Sequence, residues 1–78
     1  MRYFFDVSAS GLTTRDDDGL DLTSREQAAA EASRIAAEIA YHHLKSSMEP
    51  ALMVRVEVRE GRKVLLKNTL TIETEESV

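Results

Sequence analysis

Two stretches in the C-terminal third of the chain alternate between apolar and polar residues with the period of a β-strand. In the first, Leu52, Val54, Val56 and Val58 alternate with Met53, Arg55, Glu57 and Arg59. In the second, Val64, Leu66, Leu70 and Ile72 share one face with Asn68, and Leu65, Lys67, Thr69, Thr71 and Glu73 take the other. Because successive side chains of a strand point to opposite faces, each stretch predicts a half-buried strand. The short connection at Glu60-Gly61 makes the two strands an antiparallel hairpin.

The register of this hairpin depends on the length of its loop. Matching the two apolar faces requires Val58 opposite Val64, which predicts a three-residue loop over residues 60–62. A two-residue Glu60-Gly61 turn would instead set Val58 against Lys63, and a bulge would then be needed to recover the register. The sequence alone leaves this choice open.

The N-terminal third predicts a further strand followed by turns. Tyr3 to Val7 forms an aromatic strand, and residues 8–11 form a turn. Residues 12–15 are expected to return as a short second strand, and Asp16-Asp17-Asp18-Gly19 forms a second turn. Leu20 and Leu22 alternate with Asp21, so both are expected to point inward. Whether residues 12–22 form one strand, two short strands or a loop stays open.

A long helix follows, over about Ser24 to Lys45. Ser24 is the preferred N-cap because Gln27 follows three residues later, although Thr23 with Glu26 fits the same capping box one residue earlier. An apolar stripe at helical spacing contains Ala28, Ala32, Ile35, Ala36, Ile39 and then His43 or Leu44. Pro50 disfavours helical geometry at Glu49, so the helix is expected to end before it.

These elements predict one α+β domain over residues 1–74, with a frayed tail over residues 75–78. The architecture is ββαββ, an antiparallel sheet of three to four strands with one long helix packed on one face. The other face of the sheet is left open in this arrangement. We expect an interaction surface there, made by Phe4, Asp6, Met53, Arg55, Glu57, Leu65 and Lys67.

The composition predicts a thin core. The chain has 78 residues, nine alanines among its hydrophobic residues, no Trp and no Cys. Chains this short usually gain stability from disulfides, metals or a partner subunit. Without cysteine, disulfides and thiolate metal sites are excluded, so we expect a homodimer, or else binding to an unidentified protein partner.

Charge and hydropathy bear on partners and compartment. A net charge of -4 with interspersed acids and bases argues against generic nucleic-acid binding, which favours a basic face. No apolar run approaches the length of a membrane span, and Met1-Arg2-Tyr3 leads straight into a strand without a signal region. We therefore expect a cytoplasmic protein that does not contact membranes.

Three segments form a recognisable combination: the opening Arg2-Tyr3-Phe4-Phe5-Asp6-Val7, the Asp17-Asp18-Gly19 turn before Leu20 and Leu22, and the helix start over residues 26–32. Together they resemble an uncharacterised family of short bacterial α+β proteins, the domain of unknown function 6894. Members typically have an aromatic first strand, a D-x-x-G turn, a Glu-Ala-rich helix and an apolar C-terminal hairpin. The resemblance covers most of the chain and implies a small α+β domain with no assigned activity, cofactor or catalytic residue. Glu60-Gly61 departs from the family, where a longer acidic turn is expected.

A weaker likeness is to the partial RNase-H-like antitoxin domains of toxin–antitoxin pairs. They also begin with a Tyr-rich strand and place a T-x-E-E-A segment at a helix start. The chain lacks their extra strand and the Pro-Asp-Leu-Pro-Gly segment before the helix.

No candidate metal site outweighs a structural explanation. His42 and His43 are adjacent and point about 100° apart on a helix, so they cannot bind one metal together. Glu38 and His42 have the i,i+4 spacing of a ligand pair, but no third ligand is evident. The Asp16–Gly19 segment resembles a calcium loop, but Thr14 and Arg25 occupy the first and last ligand positions of an EF-hand. A polar turn is the preferred interpretation, with weak divalent cation binding as the alternative. No cofactor is expected.

Asp6 is the charged residue that most needs a partner, because it lies within an aromatic strand. We expect a salt bridge from Asp6 to Arg55 or Lys67 across the open face. Phe4 with Arg55, Arg59 and Lys67 is an alternative, an aromatic and basic surface of the kind that binds single-stranded RNA. The RNP sequences of such proteins are missing.

These observations favour a small, non-enzymatic binding or regulatory domain that self-associates. The alternative is a nucleic-acid-binding or antitoxin-like regulator that uses the open sheet face. No G-x-S-x-G, H-E-x-x-H, P-loop or dinucleotide fingerprint occurs, so we expect no catalytic residues.

Overall fold

The computed structural model describes residues 1–46, 51–75 and 77. Its elements in chain order are β1 (Arg2–Ala9), β2 (Leu12–Thr14), β3 (Leu20–Asp21), α1 (Arg25–Ser46), β4 (Ala51–Glu60) and β5 (Lys63–Glu73). The α+β class with one long helix is confirmed. The sheet has five strands rather than three or four, because residues 12–21 supply two short strands instead of one. The expected helix stop before Pro50 and the frayed tail at residues 76 and 78 lie outside the described residues.

All strand pairs are antiparallel, and the sheet order is β2-β1-β4-β5. β3 also pairs with β1, at the end opposite to β2. One outer edge of the sheet is therefore made of two very short strands. The other is the whole outer side of β5, to which no described strand pairs.

The β1–β2 connection is a two-residue turn. Ala9 pairs with Leu12, and both Ser10 and Gly11 have positive φ, 52° and 76°. Two positive φ values in succession are typical of a type I′ turn, whose twist matches that of the flanking strands.

The β4–β5 connection is shorter than expected, and the predicted three-residue loop is wrong. Glu60 pairs with Lys63, which leaves two residues in the turn, and Gly61 at φ 59° provides the positive φ of a type II′ turn. The bulge that such a turn requires is present: Val58 pairs with Leu66, while the next residue, Arg59, pairs with Val64.

Leu65 is the extra residue of this bulge. It is half-buried and packs against the hydrophobic core. Its predicted place on the open face is therefore wrong, because the bulge breaks the alternation on which that prediction relied.

The start of α1 is capped as predicted, with one shift. The Ser24 hydroxyl accepts a hydrogen bond from the Gln27 amide at 3.2 Å. The Gln27 side chain does not return to Ser24. Its Oε1 accepts from the amide and the hydroxyl of Thr23, at 3.0 and 2.9 Å, so Thr23 and Ser24 share the capping box.

The core lies between α1 and β4. Its fully buried members on the helix are alanines one turn apart, Ala28, Ala32, Ala36 and Ala40. Facing them are Leu52, Val54, Val56 and Val58, with Tyr3 and Phe5 from β1. Methyl-sized side chains let the helix lie close to the sheet. The apolar side chains of β5 on this side, such as Leu70 and Ile72, pack against this core only partly.

Candidate functional site

The most highly organised polar contacts of the protein converge on Arg59. This side chain is buried, with 7% of its surface exposed. Its Nε donates to the Asp6 carboxylate at 2.8 Å, Nη1 donates to the Gly61 carbonyl at 2.8 Å and Nη2 donates to the Asp16 carbonyl at 2.7 Å. The guanidinium also lies over the Phe4 ring, 4.6 Å from its centroid. We call Phe4, Asp6, Asp16 and Arg59 the Arg59 cluster.

Asp16 joins the loop before β3 to the first strand. One carboxylate oxygen accepts from the Phe5 amide at 3.1 Å, and the other accepts from the amides of Asp18 and Gly19 at 3.0 and 3.1 Å. The amide of Asp16 donates to Asp6 at 2.9 Å. A side chain that satisfies several amides of its own loop holds that loop in one conformation.

Gly19 allows this loop to lie directly on the sheet. Its φ is 72°, and a Cβ at this position would lie 2.8 Å from Cγ of Arg2 and 2.9 Å from Cε1 of Phe4. Only glycine meets both the positive φ and the close approach. The loop is held from the same side by Arg2, whose Nη1 donates to the Asp18 carbonyl at 2.6 Å.

Both carboxylates of the cluster are stabilised in the ionised form. Burial by itself would raise the pKa of Asp6, but the hydrogen bonds from Arg59 and the Asp16 amide and the Arg59 charge outweigh it and lower the pKa. Burial would also raise the pKa of Asp16. The hydrogen bonds from the amides of Gly19, Phe5 and Asp18 outweigh it, and the pKa is lowered. The cluster therefore joins β1, β4 and the Asp16–Gly19 loop through one ion pair and several hydrogen bonds.

The predicted ion pair of Asp6 has a different partner. Neither Arg55 nor Lys67 contacts Asp6; Arg59 does. Glu57 lies directly opposite Asp6 on β4, and Arg59 lies diagonally opposite, two residues further on. A long side chain reaches a diagonal neighbour on the same face.

Four further predicted surface residues lie along the open face outside the Arg59 cluster, namely Met53, Arg55, Glu57 and Lys67. Met53 is 55% exposed. Lys67 lies 3.9 Å from the Glu57 carboxylate, and Nε of Arg55 donates weakly to the Thr69 hydroxyl at 3.4 Å. These contacts are exposed and contribute little to stability.

An open groove of about 590 Å³ runs along one end of this face, between the β1–β2 hairpin and β4. Met53, Arg55 and Glu57 line it together with Ser8 and Thr13, whose hydroxyls lie 3.0 Å apart. The structure thus brings together three of the seven predicted surface residues here. The Arg59 cluster, which holds Phe4 and Asp6, begins next to the groove, because Asp6 lies directly opposite Glu57.

The candidate metal ligands are not assembled into a site. Within the described ranges, no three side chains of His, Cys, Asp or Glu are placed to hold a metal ion. The rings of Tyr41 and His42 meet edge to face with centroids 5.5 Å apart, and His43 is half-buried. The Asp16–Gly19 segment is the polar turn that was preferred, with Asp16 bound to backbone amides.

Comparison with known proteins agrees with the resemblance seen in the sequence. A family model described as a domain of unknown function, DUF6894, matches residues 2–71. The chain belongs to this family. No curated protein and no solved structure matches this DUF6894 domain. The matched range includes the Asp16-Asp17-Asp18-Gly19 segment, which the Arg59 cluster holds against the sheet.

Within residues 1–46 and 51–75, no helix of the domain combines the length and apolar character that a membrane crossing requires.

Sequence reasoning missed the central roles of Arg59 and Asp16. The sequence did indicate that Asp6 has a cationic partner, because a carboxylate within an aromatic strand needs one. The pairing of β1 with β4 decides which cation it is, and that pairing is set by tertiary structure. The signal for Asp16 was the turn motif itself, in which the first Asp commonly accepts from amides two and three residues on.

Proposed function

We propose that this DUF6894 domain is a small, non-enzymatic binding domain that associates with a second copy of itself. The observation that carries the proposal is the difference between the two edges of its sheet. On the β1 side, β2 and β3 occupy the edge with three and two residues. On the other side, β5 presents an 11-residue strand whose outer side pairs with no described residue.

An exposed strand of this length is a template for pairing with another chain. Natural domains usually shorten, cover or bend such edges, and this domain does so on the β1 side. The contrast between the two edges supports a role for the β5 edge in pairing with another chain.

The composition of the core supports a partner as well. The helix contributes four fully buried alanines, and these remove little apolar surface from water. Leu66, Leu70 and Ile72 of β5 stay half-buried in the single copy. A second copy beside β5 would complete their burial.

The Arg59 cluster supports a non-enzymatic role. Arg59 is bound to the Asp6 carboxylate and to the Asp16 backbone carbonyl, and the Asp16 carboxylate is bound to backbone amides, as a structural role requires. A catalytic acid or base needs a proton-exchanging group directed at a substrate, with a pKa near the working pH. The lowered pKa values of Asp6 and Asp16 keep both groups ionised at neutral pH.

The nucleic-acid alternative has less support from the geometry. That alternative needs Phe4 to stack on bases, but the Phe4 ring is half-buried beneath the Arg59 guanidinium. The acidic Glu57 lies next to both basic residues that remain on the face, two positions from Arg55 on β4 and directly opposite Lys67. We therefore treat binding of RNA or DNA as an outcome of the test.

The test is the mass of the domain in solution as a function of concentration. Light scattering and sedimentation equilibrium from about 5 µM to about 500 µM should show a rise from the monomer mass of 8.7 kDa to twice that value. A constant mass of 8.7 kDa throughout would overturn the proposal. A parallel titration with mixed polynucleotides at low salt would favour the alternative if it showed binding that Arg55→Glu abolishes.

A further inference from the structure

We propose that two copies of the domain join edge to edge through β5, antiparallel, with a two-fold axis at Leu70. This inference rests on the proposed self-association and specifies its geometry. It follows from the free edge of β5, from the place where the bulge interrupts that strand, and from the order of charges along the remainder.

The bulge limits the length of strand available for pairing. Leu65 is the inserted residue, so the regular part of β5 runs from Leu66 to Glu73 and pairs in unbroken register with residues 51–58 of β4. Within it, residues 67–73 form the stretch that begins and ends with a charged side chain on the open face. Leu70 is the centre of that stretch.

Residues 67–73 are complementary to themselves when their order is reversed about Leu70. Lys67 then lies opposite Glu73 of the second copy at both ends, on the open face. Thr69 lies opposite Thr71 between those pairs, on the same face. Opposite charges and paired threonines placed directly across two strands are each stabilising. The two ion pairs arise together because a two-fold interface repeats each contact.

The face towards the helix is also compatible with this axis. Leu70 meets its own copy there, and both are half-buried in the single domain. Ile72 lies opposite Asn68, whose amide is already bonded to Ser33 of α1 at 2.8 Å. The pairing places both helices on the same side of one continuous ten-stranded sheet, twice the five strands of one copy.

Other registers lose the charge pairing. Moving the axis to Thr69 sets Lys67 opposite Thr71, and moving it to Thr71 sets Glu73 opposite Thr69. A one-residue slip places side chains of different faces opposite each other, and it would separate the two helices to opposite sides of the sheet. The Leu70 axis is the arrangement that pairs Lys67 with Glu73.

The test uses two charge reversals, Lys67→Glu and Glu73→Lys. In either variant alone, both cross-strand pairs become like-charged, and the dissociation constant of the dimer should rise about tenfold at low salt. In an equimolar mixture, each chain of one variant faces a chain of the other with both pairs restored. The mixture should therefore form a heterodimer about as tightly as the original chain forms its homodimer.

Glu57→Gln is the matched control. Glu57 lies on β4, one strand inside the β5 edge, 3.9 Å from Lys67 within one chain. It should leave the dissociation constant unchanged, which separates the loss of the intrachain contact from the loss of the contact between copies.

The outcomes separate the two proposals. A dimer of the original chain that neither reversal weakens, or that the mixture does not restore, would overturn the Leu70 pairing and leave self-association standing through another surface. A chain that stays monomeric at every concentration would overturn both.

Cross-linking provides an independent check, because the chain has no native cysteine. Thr69→Cys mixed with Thr71→Cys should form a disulfide-linked dimer with oxidised glutathione, since directly opposite Cα atoms lie within disulfide range. Either variant alone places its thiols diagonally and should cross-link slowly. Equally fast cross-linking of Thr69→Cys alone would contradict the register.

Discussion

At the scale of single residues, Arg59 organises this domain more than any other side chain. It unites β1, β4, the β4–β5 turn and the Asp16–Gly19 loop through one planar cation. A guanidinium can direct several N–H groups to separate acceptors while its face packs on an aromatic ring, which an ammonium cannot do. The buried pair with Asp6 makes the loss of either partner costly.

We predict that Arg59→Ala lowers the free energy of unfolding by about 3 kcal/mol, because it leaves the Asp6 carboxylate poorly solvated without its cation. Urea denaturation at one fixed protein concentration measures the change. Arg55→Ala is the matched control on the same strand and face. Its exposed contact to Thr69 should be worth less than about 0.5 kcal/mol. Equal losses in the two variants would show that the Arg59 cluster does not stabilise the fold.

The lowered pKa of Asp6 makes a prediction about acid stability. A carboxyl group whose pKa is lower in the folded state contributes stability above its ordinary value of 3.8, and that contribution is lost as pH falls through the folded pKa. We therefore expect Asp6→Asn to be less stable than the original chain at pH 7, with the difference narrowing below about pH 4.

Urea denaturation midpoints at a series of pH values measure this convergence. Asp17→Asn, an exposed neighbour in the loop that joins the cluster, should follow the curve of the original chain. A difference between Asp6→Asn and the original chain that stays constant down to pH 2 would contradict the ionic role of Asp6.

At the scale of elements, the contact of α1 with the sheet depends on small side chains one turn apart. Ala28, Ala32, Ala36 and Ala40 are between 0% and 2% exposed and face the valines of β4. Their size sets how closely the helix approaches the sheet. Larger side chains would need a helix placed further away, and the rest of the core would then lose contact.

Ala36→Leu tests this close approach. The added side chain has no space at a position 1% exposed, so we expect a loss of about 1–3 kcal/mol in unfolding free energy. Ala37→Leu adds the same atoms to the exposed face of the same helical turn and should change stability by less than about 0.5 kcal/mol. Chemical denaturation monitored by circular dichroism compares them. Equal stabilities would mean that the helix moves away from the sheet at little cost.

At the scale of the whole molecule, the two edges of the sheet differ. Two short strands, β2 and β3, cover the outer side of β1, and the loop between them is held by Arg59. The β5 edge is long, and Leu66, Leu70 and Ile72 on its helix side are half-buried. A domain that joins a copy of itself through β5 would close its only long free edge among the described strands and enlarge its core. Its thermal midpoint would then rise with protein concentration, because association stabilises the folded state by mass action.

Much of this architecture could be read from patterns. The period of two in β4 and β5, the period near 3.6 in α1 and the Ser24 cap are local properties, because each depends on side chains a few residues apart. The Asp16–Gly19 turn and the inward face of β4 followed from the same rules. The open-face positions of Met53, Arg55, Glu57 and Lys67 needed only the knowledge that a helix covers the other side.

What the amino-acid sequence determined by itself was therefore the type and approximate extent of each element, since those depend on local backbone preference and on which face is apolar. Tertiary structure decided the bulge at Leu65, the two-residue turn at Gly61 and the choice of Arg59 as the partner of Asp6. The turn and the bulge depend on how β5 packs beside β4 against the core, which the alternation along either strand does not fix. The choice of Arg59 depends on which residue of a distant strand lies opposite, and a pairing between residues some fifty positions apart leaves no periodic trace along the chain.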